Sequence, residues 1–504
     1  RTYAVKNKQN KISKVLGYKG EDEYIKEVTK ENSNTFSKFN QLIDTNIYDI
    51  TKVFEGNVGK INIAKAGDAL LKYNSMNKMG FNVLSQITNV LNSRWQTFIE
   101  AIGGEVFGIK DLKWSDTEFA KQFPHLVSEC GQRIKQNKIT LMNDFFNIRM
   151  EHNGSINRNM NQKNLASKVL NSDMFYMLNN MAEFHAYSIV MLSVARRTKV
   201  YDTINKKEIS LYDAIKLDDV MQGKNLGKKV RISDGIVQSK DNQIPIDNNY
   251  LFRIGRQMQG LGKDLFGVYS PGEKTEINKY LIGRAAMQFR GYFISNMQRR
   301  FGKKFYNSDY GRDVEGYYIT LGKVLINSYR DILKLNFIAA GQNLDEHDKA
   351  NIKKALTELG MFTMLIISSI LLGKMGDDDD ELEKENWLYN VAYYSTVRLG
   401  SEVGAFLPFT MLLELQRQIS SPIPGVSVFE MIGNLTSPQK FLRTVDRGFW
   451  KDHLYLEQYA SYFIPGVKSI LTASDVSTMR DQRRFFQNQG FSFDWITLSP
   501  DKER

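Results

Sequence analysis

Over long stretches of the chain apolar residues recur at intervals of three and four, the spacing of a helix buried on one face. The clearest stretch runs from about Lys65 to Ile102. There Val83, Leu84, Ile87, Val90, Leu91, Trp95, Phe98 and Ile99 fall on one side. Gly103-Gly104 then supplies a stop. Ser115 with Glu118 has capping-box spacing, so a helix is expected to start there, with Pro124 limiting how far it runs undistorted. Another stretch begins at Asp173, with Met174, Met177, Leu178, Met181 and Phe184 as its stripe.

Near Lys199 the period shortens. Val200-Tyr201 and Ile209-Ser210-Leu211 flank a polar Asn-Lys-Lys turn, which predicts a hairpin or two short strands. Weak alternation continues through Val230-Arg231-Ile232 and Ile236-Val237, and helix is expected again near Tyr250. In the last third, Asn343 with Glu346 predicts a cap for a helix reaching about Leu372. Its end, 359–373, is an uncharged run of fifteen residues, and the acidic run Asp377 to Glu385 follows. Val403 to Leu413 is apolar and contains Pro408. Ser437-Pro438 reads as an N-cap with proline at the first helical position, and Tyr455 to Ile470 is aromatic-rich.

These patterns predict a mainly α fold, an elongated multi-segment helical assembly with a small β-containing insert near 200–250. Three regions are expected. They are an N-terminal helical region (1–199), a β-containing connector with a basic, aromatic helical module (200–345), and a C-terminal region rich in apolar helices (346–504).

Composition narrows the class. The 504 residues carry a net charge of 68 − 56 = +12, and hydrophobic residues make up 42%. Those values exclude a fully disordered chain. Nine prolines exclude proline-rich and collagen-like architectures, and the single cysteine, Cys130, excludes a disulfide framework and a multi-cysteine zinc site. The chain opens Arg-Thr-Tyr without an initiator methionine, and is read as a piece of a longer polypeptide.

Motifs for catalysis are few. The histidines at 125, 152, 185, 347 and 453 form no HExxH pair. His185, beside an apolar face, reads as a hydrogen-bonded structural histidine. Gly260-Leu261-Gly262-Lys263 fails as a phosphate loop, because Asp264 stands where Ser or Thr must reach magnesium. Adjacent aspartates at 377–380 repel one another and read as a solvated run. No catalytic, cofactor or metal residues are assigned, and the expectation is a protein that is not an enzyme.

Two elements suggest contacts. The segment 277–308 holds seven basic residues and no acidic one, with aromatic residues interleaved. Arg284, Arg290, Arg299, Arg300, Lys303 and Lys304 are its candidate contacts to nucleic acid or to a partner protein. The alternative is a helix whose aromatics are core and whose basic residues face solvent. The second element is the run 359–373, which falls short of the ~20 residues of a membrane span. Phe362, Leu365, Ile366, Ile367, Ile370, Leu371 and Leu372 are its candidates for a membrane or subunit interface.

Three stretches occur in order: KVYDTINKKEISLYDAIKL (199–217), the Gly-rich FRIGRQMQGLGKDLFGVYSP (252–271) and YLIGRAAMQFRGYFISNMQRRFG (280–302). Together they resemble a hairpin, Gly-rich connector and basic-helix module of the very large virion proteins of crAss-like bacteriophages. The resemblance covers about 100 residues. It implies a cargo protein stored in the capsid, portal or tail lumen and ejected with the genome into the host. Implied partners are portal, tail and muzzle proteins, further copies of the cargo, phage DNA, and the host envelope membrane on ejection, with an oligomeric state in the particle. Two rivals stand beside it: a non-catalytic portion of a virion-packaged RNA polymerase polypeptide, and a membrane-active channel-forming ejection protein. No DxDGD-type polymerase motif is present.

Overall fold

The computed structural model describes residues 82–128, 136–148, 177–222, 225–232, 236–239, 246–267, 291–327, 344–375 and 387–404, with isolated residues between 57 and 75 and between 406 and 457. The chain divides into two units. The first comprises Arg1–Lys72, Val268–Gly291 and Ile423–Gly425. Its described part includes a ladder of two short antiparallel strands, β1 (Asn57–Val58) and β2 (Ile61–Asn62).

The second unit carries the rest and is mainly α. In chain order it holds α1 (Val83–Gly103), α2 (Ile109–Ser128), α3 (Lys138–Phe145), α4 (Met177–Arg197), β3 (Lys199–Asp202), β4 (Lys207–Ser210) and the single turn α5 (Leu211–Ala214). Next come β5 (Ile215–Gln222), β6 (Asn225–Ile232), β7 (Ile236–Ser239), α6 (Asn248–Phe266), α7 (Gly291–Phe301), β8 (Phe305–Asn307) and β9 (Arg312–Val314). The last described helices are α8 (Tyr317–Asn327), α9 (Glu346–Met375) and α10 (Trp387–Gly404). The strands form an antiparallel sheet of order β4-β3-β7 and two separate hairpins, β5-β6 and β8-β9.

Local chemistry explains several boundaries. Asn82 caps α1, its side-chain oxygen accepting from the Ser85 N–H at 2.9 Å. At the other end Gly104 adopts φ 73°, and its N–H returns to the Glu100 carbonyl at 3.2 Å, which is the stop expected at Gly103-Gly104. The expected hairpin is β3-β4. Its turn is held by the Asp202 carboxylate, which accepts the N–H groups of Ile204 and Asn205 at 3.0 Å each. Asp247 caps α6 through the Tyr250 N–H at 2.8 Å. Asp345 caps α9 through the Asp348 N–H at 2.6 Å. The expected cap Asn343 lies outside the described residues, as do the acidic run at 377–385, Ser437-Pro438 and most of 455–470.

Other expectations are corrected. The helix placed at Ser115 starts earlier, at Ile109, where Asp111 accepts the Gly108 N–H at 3.0 Å. Ser115 is a buried interior residue that returns its hydroxyl to the Asp111 carbonyl at 2.8 Å. The same helix continues past Pro124 to Ser128. The helix expected near Tyr250 is the 19-residue α6, and it takes in most of the Gly-rich stretch. Its glycines admit neighbours: a Cβ on Gly262 would stand 2.6 Å from the Tyr187 ring, and one on Gly260 would stand 2.9 Å from Asp309 Cβ.

Two apolar cores result. One gathers Phe107, Ile139, Met142, Ile189, Leu192, Val200, Leu211, Ile215 and Met258, so it crosses the boundary expected at 199/200. The physical reason is that α4 runs into β3 after a single residue, and both bury side chains in the same interior. The other gathers Trp95, Ile99, Tyr317, Phe362, Leu399, Val403 and Leu407 from α1, α8, α9 and the end of α10, so it crosses 345/346. Helix α1 contributes to both. Among the described residues no helix is long and apolar enough to cross a membrane.

Candidate functional site

Helix α7 ends in Arg299-Arg300, two of the candidate contact residues. Successive helical residues point about 100° apart, so the two guanidinium groups reach different neighbours. Arg299 reaches α1, donating to Gln96 Oε1 at 2.9 Å and to Glu100 Oε2 at 3.2 Å. Arg300 reaches α9 and forms a two-point pair with Glu358, with Nε 3.2 Å from Oε2 and Nη2 bonded to Oε1. It also donates to Asn296 Oδ1 at 2.7 Å, one turn back, and its guanidinium lies 4.9 Å from the centre of the Phe406 ring. Neither Arg300 nor Glu358 has exposed side-chain area.

Glu358 is fully occupied. Its Oε2 also accepts the hydroxyls of Tyr317 at 2.6 Å and Tyr318 at 2.9 Å, which α8 presents side by side. Burial alone would raise the carboxyl pKa. The Arg300 charge and these donors outweigh burial and hold it below the usual carboxylate range. Burial likewise pushes both tyrosines well up, so their hydroxyls keep their protons as donors.

A second cluster adjoins the first. Lys354, one turn before Glu358 on α9, donates to Glu100 Oε1 and Glu105 Oε2, each at 2.8 Å. Glu105 Oε1 receives Arg312 at 2.9 Å and His347 Nδ1 at 2.7 Å. The His347 tautomer follows from geometry. The backbone N–H of Glu315 can only donate, and it points at Nε2 from 3.3 Å, so Nε2 accepts and Nδ1 carries the proton given to Glu105. Burial opposes ionisation of Glu105, but the His347 hydrogen bond and the Lys354 and Arg312 charges bring its pKa down to about 2.

The β8-β9 hairpin closes over this cluster. Its turn is tied to α6 by the Arg256–Asp309 ion pair and by Tyr310, whose hydroxyl donates to Asp264 at 2.7 Å. Burial, against the Tyr310 hydrogen bond and the Arg299 charge, pushes the Asp264 carboxyl up to about 6. Beneath lies a cavity of about 70 Å³ bordered by Glu105, Asp264, Arg299, Tyr310, His347 and Lys354. Charges of both signs alternate around it, and carboxylates and cations pair with one another across it. The arrangement fastens five helices, α1, α6, α7, α8 and α9, and a hairpin. Among the described residues no group of three or more His, Cys, Asp or Glu is placed to hold a metal ion.

The sequence candidates therefore separate. Arg300 and Arg299 are internal fasteners, a correction to their reading as surface contacts: each meets a buried carboxylate that neutralises it. Lys303 and Lys304 are exposed just beyond α7, and Lys304 stands 3.6 Å from Asp313. Arg284 and Arg290 lie outside the described residues. On α9, Phe362 is buried in the second core, and Leu365 and Ile366 pack against that core. Ile367 and Leu371 are exposed, while the side chains of Ile370 and Leu372 lie outside the described set. His185 packs edge-on against Phe119 at 4.9 Å, and its buried Nδ1 has no partner. Burial, with Arg94 nearby, lowers its pKa to about 4.

Sequence reasoning missed Glu100, Glu105, Asp264, His347, Lys354 and Glu358. One signal was readable. Glu358 falls at the helical spacing of Asn351, Lys354, Ala355 and Phe362, so a charge stands on the inward face of its helix. Compared with known proteins, the chain matches no family model, no curated protein and no solved structure.

Proposed function

We propose that the chain is a non-enzymatic component of a phage virion, a cargo protein held in the capsid, portal or tail lumen and delivered into the host with the genome. One observation carries this reading beyond the three resembling stretches. Two buried carboxylates that the fold gathers, Glu358 and Glu105, are occupied by neighbouring side chains. Glu358 takes donors from Arg300, Tyr317 and Tyr318, and Glu105 takes them from His347, Arg312 and Lys354. A general acid or base needs a lone pair or a proton aimed at substrate. These are aimed at neighbouring helices, which supports a protein that works by shape and surface. With one cysteine in the sequence, no internal disulfide opposes extension through a narrow tail.

The test is mass spectrometry of particles before and after DNA ejection. A delivered cargo is present in full particles and lost from emptied shells; retention in the shells, or absence from both, overturns the reading. A second reading, a membrane-active ejection protein, draws support from the exposed apolar residues of α9. Leakage from vesicles of phosphatidylethanolamine and phosphatidylglycerol separates the two, since a cargo that acts by packing releases no dye.

A further inference from the structure

We propose that the β8-β9 hairpin is a hinged flap over the cavity bordered by Asp264, Tyr310 and Lys354, turning about Gly302 and Gly316 and latched shut where Asp309 and Tyr310 meet α6. The hinge is visible in the backbone. Residues 302–316 connect α7 to α8, and their two ends are tied side by side, with the Gly316 N–H donating to the Gly302 carbonyl at 2.9 Å. Both ends are glycines in crowded places. A Cβ at Gly302 would stand 2.3 Å from the Gln298 carbonyl oxygen, and one at Gly316 would stand 2.6 Å from the Arg300 carbonyl oxygen. Only glycine fits there, and its wide range of backbone angles is what a hinge uses.

The attachments of the flap are polar and gather at its tip. Asp309 pairs with Arg256, and the Tyr310 hydroxyl donates to Asp264 at 2.7 Å. Closer to the base, Arg312 reaches Glu105 at 2.9 Å. Partly exposed ion pairs hold weakly, and Arg256 and Arg312 keep 44% and 39% of their side-chain area in solvent. Of the hairpin's aromatic residues only Tyr310 packs against the first core, while Phe305 and Tyr306 are exposed. Two strands of three residues have little stability by themselves, so the hairpin depends on these contacts for its position. The bonds of Glu315 with His347 and Asn351 lie beside the hinge, where the flap moves least.

Asp264 controls the latch. Its Oδ2 takes the Tyr310 hydroxyl, while its Oδ1 receives no hydrogen bond from the described residues and the side chain lines the cavity. Burial pushes this carboxyl up to about 6. Arg299 of α7 faces it and favours its charge; Glu100 of α1 and Asp309 of the hairpin oppose it. The groups across the cavity are occupied with one another. Glu105 holds Arg312, His347 and Lys354, Lys354 also holds Glu100, and Glu315 holds Lys323. Opening returns Asp264 to water, where it titrates at about its usual 3.8, so the closed flap binds the proton more tightly. The latch is firm below about pH 3.8, loosens as pH rises to about 6 and is constant above. Over that window the ratio of open to closed flap rises by up to about a hundredfold. Opening also admits water to the Lys354 pairs that join α1 to α9, and water weakens them. The inference goes beyond the virion reading and rests only on this hinge, latch and cavity, so the two are tested separately.

The experiment uses the full chain with Cys130→Ser and nitroxide labels at Ser308→Cys, on the flap's tip, and at Phe252→Cys, on α6; both positions are exposed. Distances are measured by electron paramagnetic resonance from about pH 4.5 to about pH 8. The closed distance is expected to dominate in acid. A second, longer distance is expected to grow through pH 6, raising the open-to-closed ratio by about tenfold or more. Asp264→Asn still accepts from Tyr310 but cannot ionise, and is expected to hold the closed distance at every pH. Tyr310→Phe keeps the ring and removes the donor, and is expected to raise the open fraction throughout. Labels at Lys304→Cys and Asp313→Cys, whose native side chains stand 3.6 Å apart across the hairpin, are expected to keep one distance because the flap moves as a unit. A single tip distance at every pH in the labelled wild-type chain overturns the proposal. So does a pH dependence that survives in Asp264→Asn, and so does a Lys304–Asp313 distance that spreads together with the tip distance, which means that the hairpin unravels.

Discussion

Arg300 and Glu358 stand 58 residues apart in the chain and meet where neither side chain reaches solvent. Removing one partner leaves the other buried and uncompensated. Arg300→Ala is expected to lower unfolding free energy by about 3–5 kcal/mol, whereas Arg300→Met with Glu358→Leu costs less than the sum of the single changes. Urea denaturation of the three variants checks this. Additive losses would mean that the pair contributes no coupling.

Asp264 makes the opposite prediction. Its carboxyl titrates near 6 when folded, above its usual 3.8, so the folded state holds the proton more tightly than the unfolded chain. The resulting penalty is absent below about pH 3.8, grows as pH rises to about 6, and stays constant above. Asp264→Asn keeps an acceptor for Tyr310 and is expected to stabilise by about 1–3 kcal/mol at pH 8, with no gain near pH 4. Thermal unfolding at the two pH values decides it.

Glu105 shows the complementary sign. Its pKa is lowered to about 2, so the stability it contributes is full above about 4.5 and is lost as pH falls toward 2. Glu105→Gln is expected to cost about 2–3 kcal/mol at pH 7 and progressively less in acid. A constant cost from pH 7 to pH 3 would show that the ionised form is not what matters.

Two helical glycines are expected to respond in opposite ways to alanine. At Gly262 the new Cβ meets the Tyr187 ring at 2.6 Å, and overpacking costs about 1–3 kcal/mol. At Gly360 nothing lies in the way, and alanine stabilises the helix by up to about 1 kcal/mol. Melting temperatures of the two variants give the comparison. Equal shifts would show that the Tyr187 approach is not close.

The exposed lysines next to α7 allow a test of nucleic-acid contact free of folding effects. Lys303→Ala with Lys304→Ala is expected to leave stability within about 0.5 kcal/mol. If duplex DNA is bound through them, the salt dependence of affinity flattens by about 0.9 log unit per lost phosphate contact. An unchanged slope assigns both lysines to a solvated or protein-facing surface.

Several elements were legible from residue order alone. Helix α1, its Gly103-Gly104 stop and the β3-β4 hairpin each rest on interactions within a few residues, and each is observed. Of the stripe expected on α1, Leu84, Trp95 and Ile99 are buried while Val83 and Leu91 are exposed, because the face that packs also carries Gln96 and Glu100. The capping box at Ser115 failed because the same local pattern also fits a helix interior, where serine returns its hydroxyl to a carbonyl one turn back. The first strand of the β8-β9 hairpin was hidden at the end of a basic segment read as helix. Its turn, Ser308 to Gly311, is the feature that marked it, and its position depends on distant anchors at Arg256, Asp264 and Glu105.

Arg299 and Arg300 define the boundary between the two levels of information. Composition and periodicity identified a helix carrying positive charge and aromatics, because those properties belong to neighbours in the chain. Their destination depended on Glu100, 199 residues away from Arg299, and on Glu358, and no local rule states which carboxylate will be waiting. Helical character was written in short-range spacing. Which charges are neutralised inside and which apolar residues stay outside was decided by how α1, α7, α8 and α9 pack, because burial and Coulomb pairing act between segments distant along the chain.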